Sequence, residues 1–214
     1  MACGLCLLVA PALLLVASIV NPASGSGDDD RKYLKSLADD PDATELSTAL
    51  FMVGFALMVI AIVGLVHVIR ERGVTLANIG GALAIIGSIF FVALQVPTIA
   101  DLNTVEHVGL DTAEKLNDDV DDYWSAYVVF VPALLGTALG YILLGAAVIR
   151  SRIAHLAAGI LIIVGLVLIP LTEGMFVAFL FLLAGFGMVG LKILGMKDEE
   201  WDGRVPPAVS PPAA

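Results

Sequence analysis

Apolar residues in this chain come in blocks of roughly 18–25, the length a helix needs to cross about 30 Å of hydrocarbon. That block length constrains the fold more than any other feature. A soluble domain of this size cannot bury so many helices that are apolar on every side. The excess is real: 59% of the 214 residues are hydrophobic and 15% charged, where soluble domains run near 45–50% and about 25%. Six spans are read, at about 3–20, 46–69, 76–98, 123–149, 153–171 and 175–194. The expected fold is all-α: a polytopic transmembrane helical bundle over 1–195. Residues 196–214 form a short tail ending in "RVPPAVSPPAA", Pro-rich, with nothing to pack, and read as disordered.

Charge is segregated between alternate connections. Arg70 and Arg72 close the turn between the second and third spans, and Arg150 and Arg152 the turn between the fourth and fifth. Such short basic turns favour the cytoplasmic side. The connection 21–45 carries seven Asp/Glu against three Lys/Arg, and 99–122 carries eight against one. The four arginines therefore serve as topology anchors, with both acidic connections extracytoplasmic. Six spans then leave both termini in the cytoplasm of a multi-pass cell-membrane protein. The first span has a second reading, a cleaved signal peptide ending near "NPASGSG". It lacks a positive amino-terminal region and exceeds the usual apolar length, which favours retention.

The acidic connections carry structural signals. In "ADDPDATE", Asp40 can cap a helix, Pro41 suits its first turn, and Asp42 with Glu45 has capping-box spacing. In "DDDRKYLKSLADD", Tyr33, Leu34 and Leu37 share one helical face, as in a short helix lying on the outer leaflet. Asp111 and Glu114 repeat the capping spacing, and Tyr123, Trp124 and Tyr127 stand where an aromatic belt belongs.

An internal echo follows the arginine turns. "GGALAIIG" at 80–87 aligns on "AGILIIVG" at 158–165 with four of eight positions identical. A duplicated two-helix hairpin would produce this as a parallel repeat. So would the restricted alphabet of lipid-facing helices.

Small residues carry helix packing, because lipid supplies no hydrophobic drive for association. Gly136 and Gly140 form a GxxxG; Ala77 with Gly81 and Gly80 with Ala84 give small-xxx-small spacings. Ala184, Gly185, Gly187 and Gly190 are expected on one side of the sixth span. Internal packing and a homo-oligomer interface both fit such faces. No span has Asp, Glu, Lys or Arg at its centre, which counts against an ion-coupled pump. Lys192 lies near the inner end of the sixth span, where it can snorkel, and Glu173 falls in the turn "PLTEGM". Central polar groups reduce to Ser88, Thr137 and Tyr141, with Gln95 nearer the outer end beside Pro97. A solute path, if present, would be lined by these four.

His67 and His155 flank the arginine turns. Imidazoles facing each other from two helices would hold a haem iron or another metal; otherwise each sits at the interface with its polar edge in water. "CGLC" at 3–6 lacks the βαβ context of a redox motif and the ligand count of a zinc site. It reads as apolar packing, or as palmitoylation sites. "NDDVDD" supplies Asp118, Asp119, Asp121 and Asp122 without EF-hand spacing, so it attracts cations only diffusely. No phosphate loop, nucleophile elbow or zincin motif occurs, and no basic stripe exists to meet nucleic acid. No cofactor, metal or catalytic group is expected.

Taken in order, an apolar first helix, Asp28–Asp30, Tyr33, Leu34, Leu37, Ala38, Pro41 and Glu45, then Arg70 to Gly87, the pattern resembles a group of small multi-span membrane proteins common in actinobacteria, which has no assigned activity. The resemblance is best over about 1–95 and implies retention of the first helix, but no chemistry. The leading expectation is a non-enzymatic membrane protein that acts by association, its partners being the bilayer and a second copy or another membrane protein. The alternative is a permease or channel-like protein for a small neutral or cationic solute. The third is a redox protein built on His67 and His155.

Overall fold

A computed structural model describes residues 2–24, 26, 29–121, 124–168, 175–197 and 201, with backbone alone at 118–121, 125 and 126. The described residues form eight helices: α1 Ala2–Val20, α2 Asp30–Asp39, α3 Pro41–Val68, α4 Val74–Val108, α5 Leu110–Asp121, α6 Trp124–Ser151, α7 Leu156–Leu168 and α8 Met175–Leu194. Five of these, α1, α3, α4, α6 and α8, are long and apolar enough to cross a membrane. The chain is a membrane-type helical bundle with no strand among its described residues. Helix α7 is apolar but has 13 residues, about 20 Å at ~1.5 Å per residue. The rest of the expected fifth span, the turn holding Glu173 and the Pro-rich tail lie outside the described residues.

Six helices close into a ring. Each packs on two neighbours, in the cyclic order α1, α3, α4, α6, α7, α8 and back to α1. Helix α1 therefore fills a gap between α3 and α8. A Cβ at Gly64 of α3 would overlap Cys3, and one at Gly54 would stand 2.7 Å from Leu14. On the other side, a Cβ at Gly190 of α8 would stand 2.7 Å from the Gly4 carbonyl oxygen.

The α4–α6 seam is the tightest run of small residues. Gly80 faces Leu143 and Leu144, Gly87 faces Thr137, Gly136 faces Leu83 and Gly87, and Gly140 faces Ala84. Gly81, one position round from Gly80, meets Val66 of α3 instead. The small residues of α8 do not share one side, contrary to expectation. Gly185 meets Ile162 of α7, Gly187 and Gly190 meet α1, and Ala184 is exposed. The reason is helical geometry: at 3.6 residues per turn, positions two apart point in nearly opposite directions.

One end of the ring is acidic, and it is built differently from the expected pair of loops. Asp40 accepts a hydrogen bond from the Ala43 N–H at 3.1 Å, and Pro41 opens α3 as its spacing suggests. Helix α4, however, continues through Pro97 to Val108 instead of stopping near 98. Gly109, with φ +85°, turns the chain into α5. Helix α2 does not lay its apolar face on lipid. Leu34 is buried with Val105 and Ala113, and Tyr33, Ala38 and Leu110 pack around them. The surfaces that bury Leu34 are the extension of α4 and α5, neither of which the hydropathy pattern announces. Asp111 and Glu114, expected as capping residues, instead hold Arg31 of α2, at 2.8 Å for Asp111. Those two carboxylates raise the Arg31 pKa.

Tyr33 ties this cap to the ring. Its hydroxyl lies 3.4 Å from Thr98 Oγ1. Burial pushes its pKa above 10.0, and the nearby Asp101 and Asp30 carboxylates add to the rise against the Thr98 hydrogen bond. A folded-state pKa above the unfolded value favours folding below the unfolded pKa, and the contribution is lost as pH rises through the folded pKa. Protection of the α2 amides, taken relative to their intrinsic exchange rate at each pH, is therefore expected to fall above about pH 10. Tyr33→Phe should flatten that fall; an equally steep fall in the variant would show that another group is responsible.

Candidate functional site

The arginine turns come together at the opposite end. A Cβ at Gly73, which has φ +83°, would lie 3.2 Å from the Ala147 carbonyl oxygen and 3.4 Å from Arg150 Cβ. The α3–α4 and α6–α7 connections are thus neighbours. Arg152 ends α6 with a left-handed φ of 56°. Arg70 binds locally: Nε donates to the His67 carbonyl oxygen at 3.1 Å, and Nη2 donates to the Trp201 carbonyl oxygen at 2.7 Å and lies 2.6 Å from His67 Nε2. The Trp201 ring packs on His67, centroids 5.0 Å apart. Arg72 is exposed.

The two histidines have separate partners. His67 closes α3, where a guanidinium donor takes its Nε2 lone pair. His155 stands in the turn before α7, and its Nδ1 accepts from the Ala157 N–H at 3.2 Å. Helices α3 and α7 are on opposite sides of the ring. No group of three or more His, Cys, Asp and Glu side chains gathers among the described residues. Cys3 and Cys6 are free thiols. The side chains of Asp118, Asp119 and Asp121, and all of Asp122, lie outside the described residues.

The polar residues of the spans do converge. Gln95 of α4 and Thr137 and Tyr141 of α6 line one cavity of about 540 Å³ in the acidic half of the ring. Volumes of about 300–1,000 Å³ hold drug-sized ligands. Five helices, α3, α4, α6, α7 and α8, contribute to its wall, and Asn21 just past α1 joins them. None of the described lining residues is charged. Phe51 and Phe55 from α3, Phe91 from α4 and Phe179 from α8 form an aromatic side. Phe55 and Phe91 stack at 4.8 Å with planes 11° apart, and Phe51 contacts both Phe55 and Phe179. Towards the arginine end Tyr141 meets Phe186 edge-on at 5.5 Å, above fully buried Leu144 and Leu65.

Ser88 is not part of the wall. It is fully buried behind Tyr141, with its oxygen 3.5 Å from the Tyr141 hydroxyl. Ser88 donates to the Ala84 carbonyl oxygen at 2.8 Å. A serine has one proton, so in the contact with Tyr141 it must accept and the tyrosine must donate. The lone pairs of the Tyr141 oxygen remain available. Thr137 is 7% exposed, and its buried Oγ1 has no hydrogen-bond partner. It lies in the seam beside Gly87. An unpartnered buried hydroxyl costs about 1–3 kcal/mol.

Gln95, Thr137 and Tyr141 are conspicuous in the sequence because they are polar inside apolar blocks. The phenylalanines are not, because they look like any lipid-facing residue until a partner helix is known. Asn21 and Thr98 escaped because they sit at span ends. Comparison of the chain with protein-family models, with curated proteins and with solved structures returns no match.

Proposed function

We propose that this is a six-span protein of the cell membrane that binds a small neutral, mainly apolar solute in its extracytoplasmic half, as a permease-type or carrier protein does. The observation that carries the reading is the convergence of Gln95, Thr137 and Tyr141 on one cavity whose described lining is uncharged. A ring of helices with a half-deep cavity offers a binding site, and the reading is a non-enzymatic one.

Orientation follows from charge. The four arginines stand at one end of the ring, with acidic α2 and α5 at the other, and short basic turns favour the cytoplasm. Residues 4 and 190 also meet there, which supports both termini on that side. Helix α7, packed between α6 and α8, supports a sixth span.

The duplicated hairpin gains support from packing. Aligned positions do equivalent work in the two halves. Gly81 and Gly159 each meet the preceding helix of their own hairpin, α3 and α6. Gly87 and Gly165 each meet the next helix in the ring, α6 and α8. Ala84 and Ile162 do the same through Gly140 and Gly185. The association reading loses its main support, because the small-residue faces at 80, 81, 136, 140, 185 and 187 are occupied within the ring.

Binding can be measured with the apolar fluorophore N-phenyl-1-naphthylamine on purified protein in nanodiscs. A saturable component above bilayer partitioning is expected, and Ala138→Trp, which fills the cavity, should remove it. Identical non-saturable signals from both proteins would overturn the reading.

A further inference from the structure

We infer that the ligand of this cavity is an uncharged amphiphile with one hydroxyl group, its apolar body against the phenylalanine wall and its hydroxyl between Thr137 and Tyr141. The inference rests on the solute-binding reading above and adds the chemical class. Three observations carry it.

The first is the absence of charge among the described lining residues. A carboxylate, phosphate or ammonium head would be desolvated there with no counter-charge from any of them. The second concerns cations in particular. Aromatic residues hold ammonium groups through open ring faces, but here Phe55 and Phe91 each turn one face to the other. Phe51 in turn packs against Phe55 and Phe179. The wall is apolar surface rather than a cation cage.

The third is the hydrogen-bond balance at the deep end. The Ser88 proton is given to Ala84, so Tyr141 can donate across its 3.5 Å contact with Ser88 and keep its lone pairs for a ligand. Thr137 has a proton and lone pairs both unused. A helical threonine populates two χ1 wells, so its hydroxyl can leave the Gly87 seam at small cost. A ligand hydroxyl donates to Tyr141 and accepts from Thr137, satisfying both. An ether or carbonyl can accept from Thr137 but has nothing to give Tyr141. A hydrocarbon satisfies neither. Gln95 and Thr98 line the part nearer the acidic end, where Gln95 Nε2 donates to the Phe91 carbonyl oxygen and Thr98 accepts from Tyr33.

The test is displacement of N-phenyl-1-naphthylamine by chain-matched probes at equal membrane concentration: 1-dodecanol, dodecyl methyl ether, dodecylamine and dodecanoate. Dodecanol is expected to displace at about tenfold lower concentration than the ether, the worth of one hydrogen-bonding group. Thr137→Val keeps the side-chain shape and should bring the two within about threefold by weakening only the alcohol. Thr137→Val should also raise the thermal midpoint, because it removes the unpartnered hydroxyl, so loss of preference cannot be ascribed to misfolding. Tyr141→Phe should narrow the difference likewise. Equal displacement by alcohol and ether in the unmodified protein, or strongest displacement by the amine or the acid, overturns the hydroxyl assignment while leaving the cavity reading intact. Absence of saturable fluorophore binding removes both.

Discussion

Gly140→Val is expected to leave no folded protein in the membrane, whereas Gly187→Ala should be nearly silent. Both glycines belong to small-residue runs that look alike in the sequence. A Cβ at 140 would stand 2.4 Å from the Ala84 nitrogen, 2.6 Å from its Cα and 2.8 Å from its Cβ. Backbone cannot rotate away, so α4 and α6 would have to part along their shared seam. Overpacking a core typically costs about 1–3 kcal/mol when side chains can adjust; here the obstacle is main chain, and the cost exceeds that range. At 187 the nearest atom is Leu8 Cδ2 at 3.3 Å, the tip of a flexible side chain. The measurement is the monodisperse fraction and thermal midpoint after detergent extraction. Comparable losses for the two variants would mean that α4 and α6 do not meet where described.

Leu34→Asp should detach the acidic cap without opening the ring. Leu34 is 1% exposed, against Val105 and Ala113. Truncating a buried leucine costs about 2–5 kcal/mol, and an aspartate adds an unpaired charge in the same place. The cap is small, so a loss of that size is enough to free α2 from α4 and α5. By contrast, Arg31→Ala removes ion pairs whose side chains are 51%, 83% and 32% exposed. Exposed pairs are screened by solvent and contribute little. Limited proteolysis should therefore cut within α2 and α5 in Leu34→Asp and spare them in Arg31→Ala, with α3 and α6 protected in both. Equal cleavage in the two variants would make the cap electrostatic rather than apolar.

The parts of the fold legible in sequence are those set by local chemistry. Asp40 and Pro41 opening α3, and arginines ending α3 and α6, need no knowledge of neighbours. What was not legible depends on which helices meet. Leu34 and Leu37 show an apolar face, but only the extension of α4 beyond 98 decides whether protein or lipid covers it. The glycines of α8 suggest packing, but their division between α7 and α1 requires the ring order. At the candidate site, Gln95, Thr137 and Tyr141 are conspicuous as polar residues in apolar blocks, yet periodicity alone does not bring α4 and α6 side by side. Ser88 has the same chemistry and stands behind the wall, a distinction set by about one helical turn.

The placement of the cavity is tested most directly by thiol accessibility at Gln95→Cys in a Cys3→Ser, Cys6→Ser background. A membrane-impermeant maleimide should modify residue 95 in right-side-out vesicles and not in inverted ones, and added 1-dodecanol should slow the reaction. Ser88→Cys, fully buried behind Tyr141, should stay unmodified from either side. Modification of residue 95 only in inverted vesicles, or of residue 88 as readily as 95, would contradict a cavity that opens towards the acidic face and closes at Tyr141.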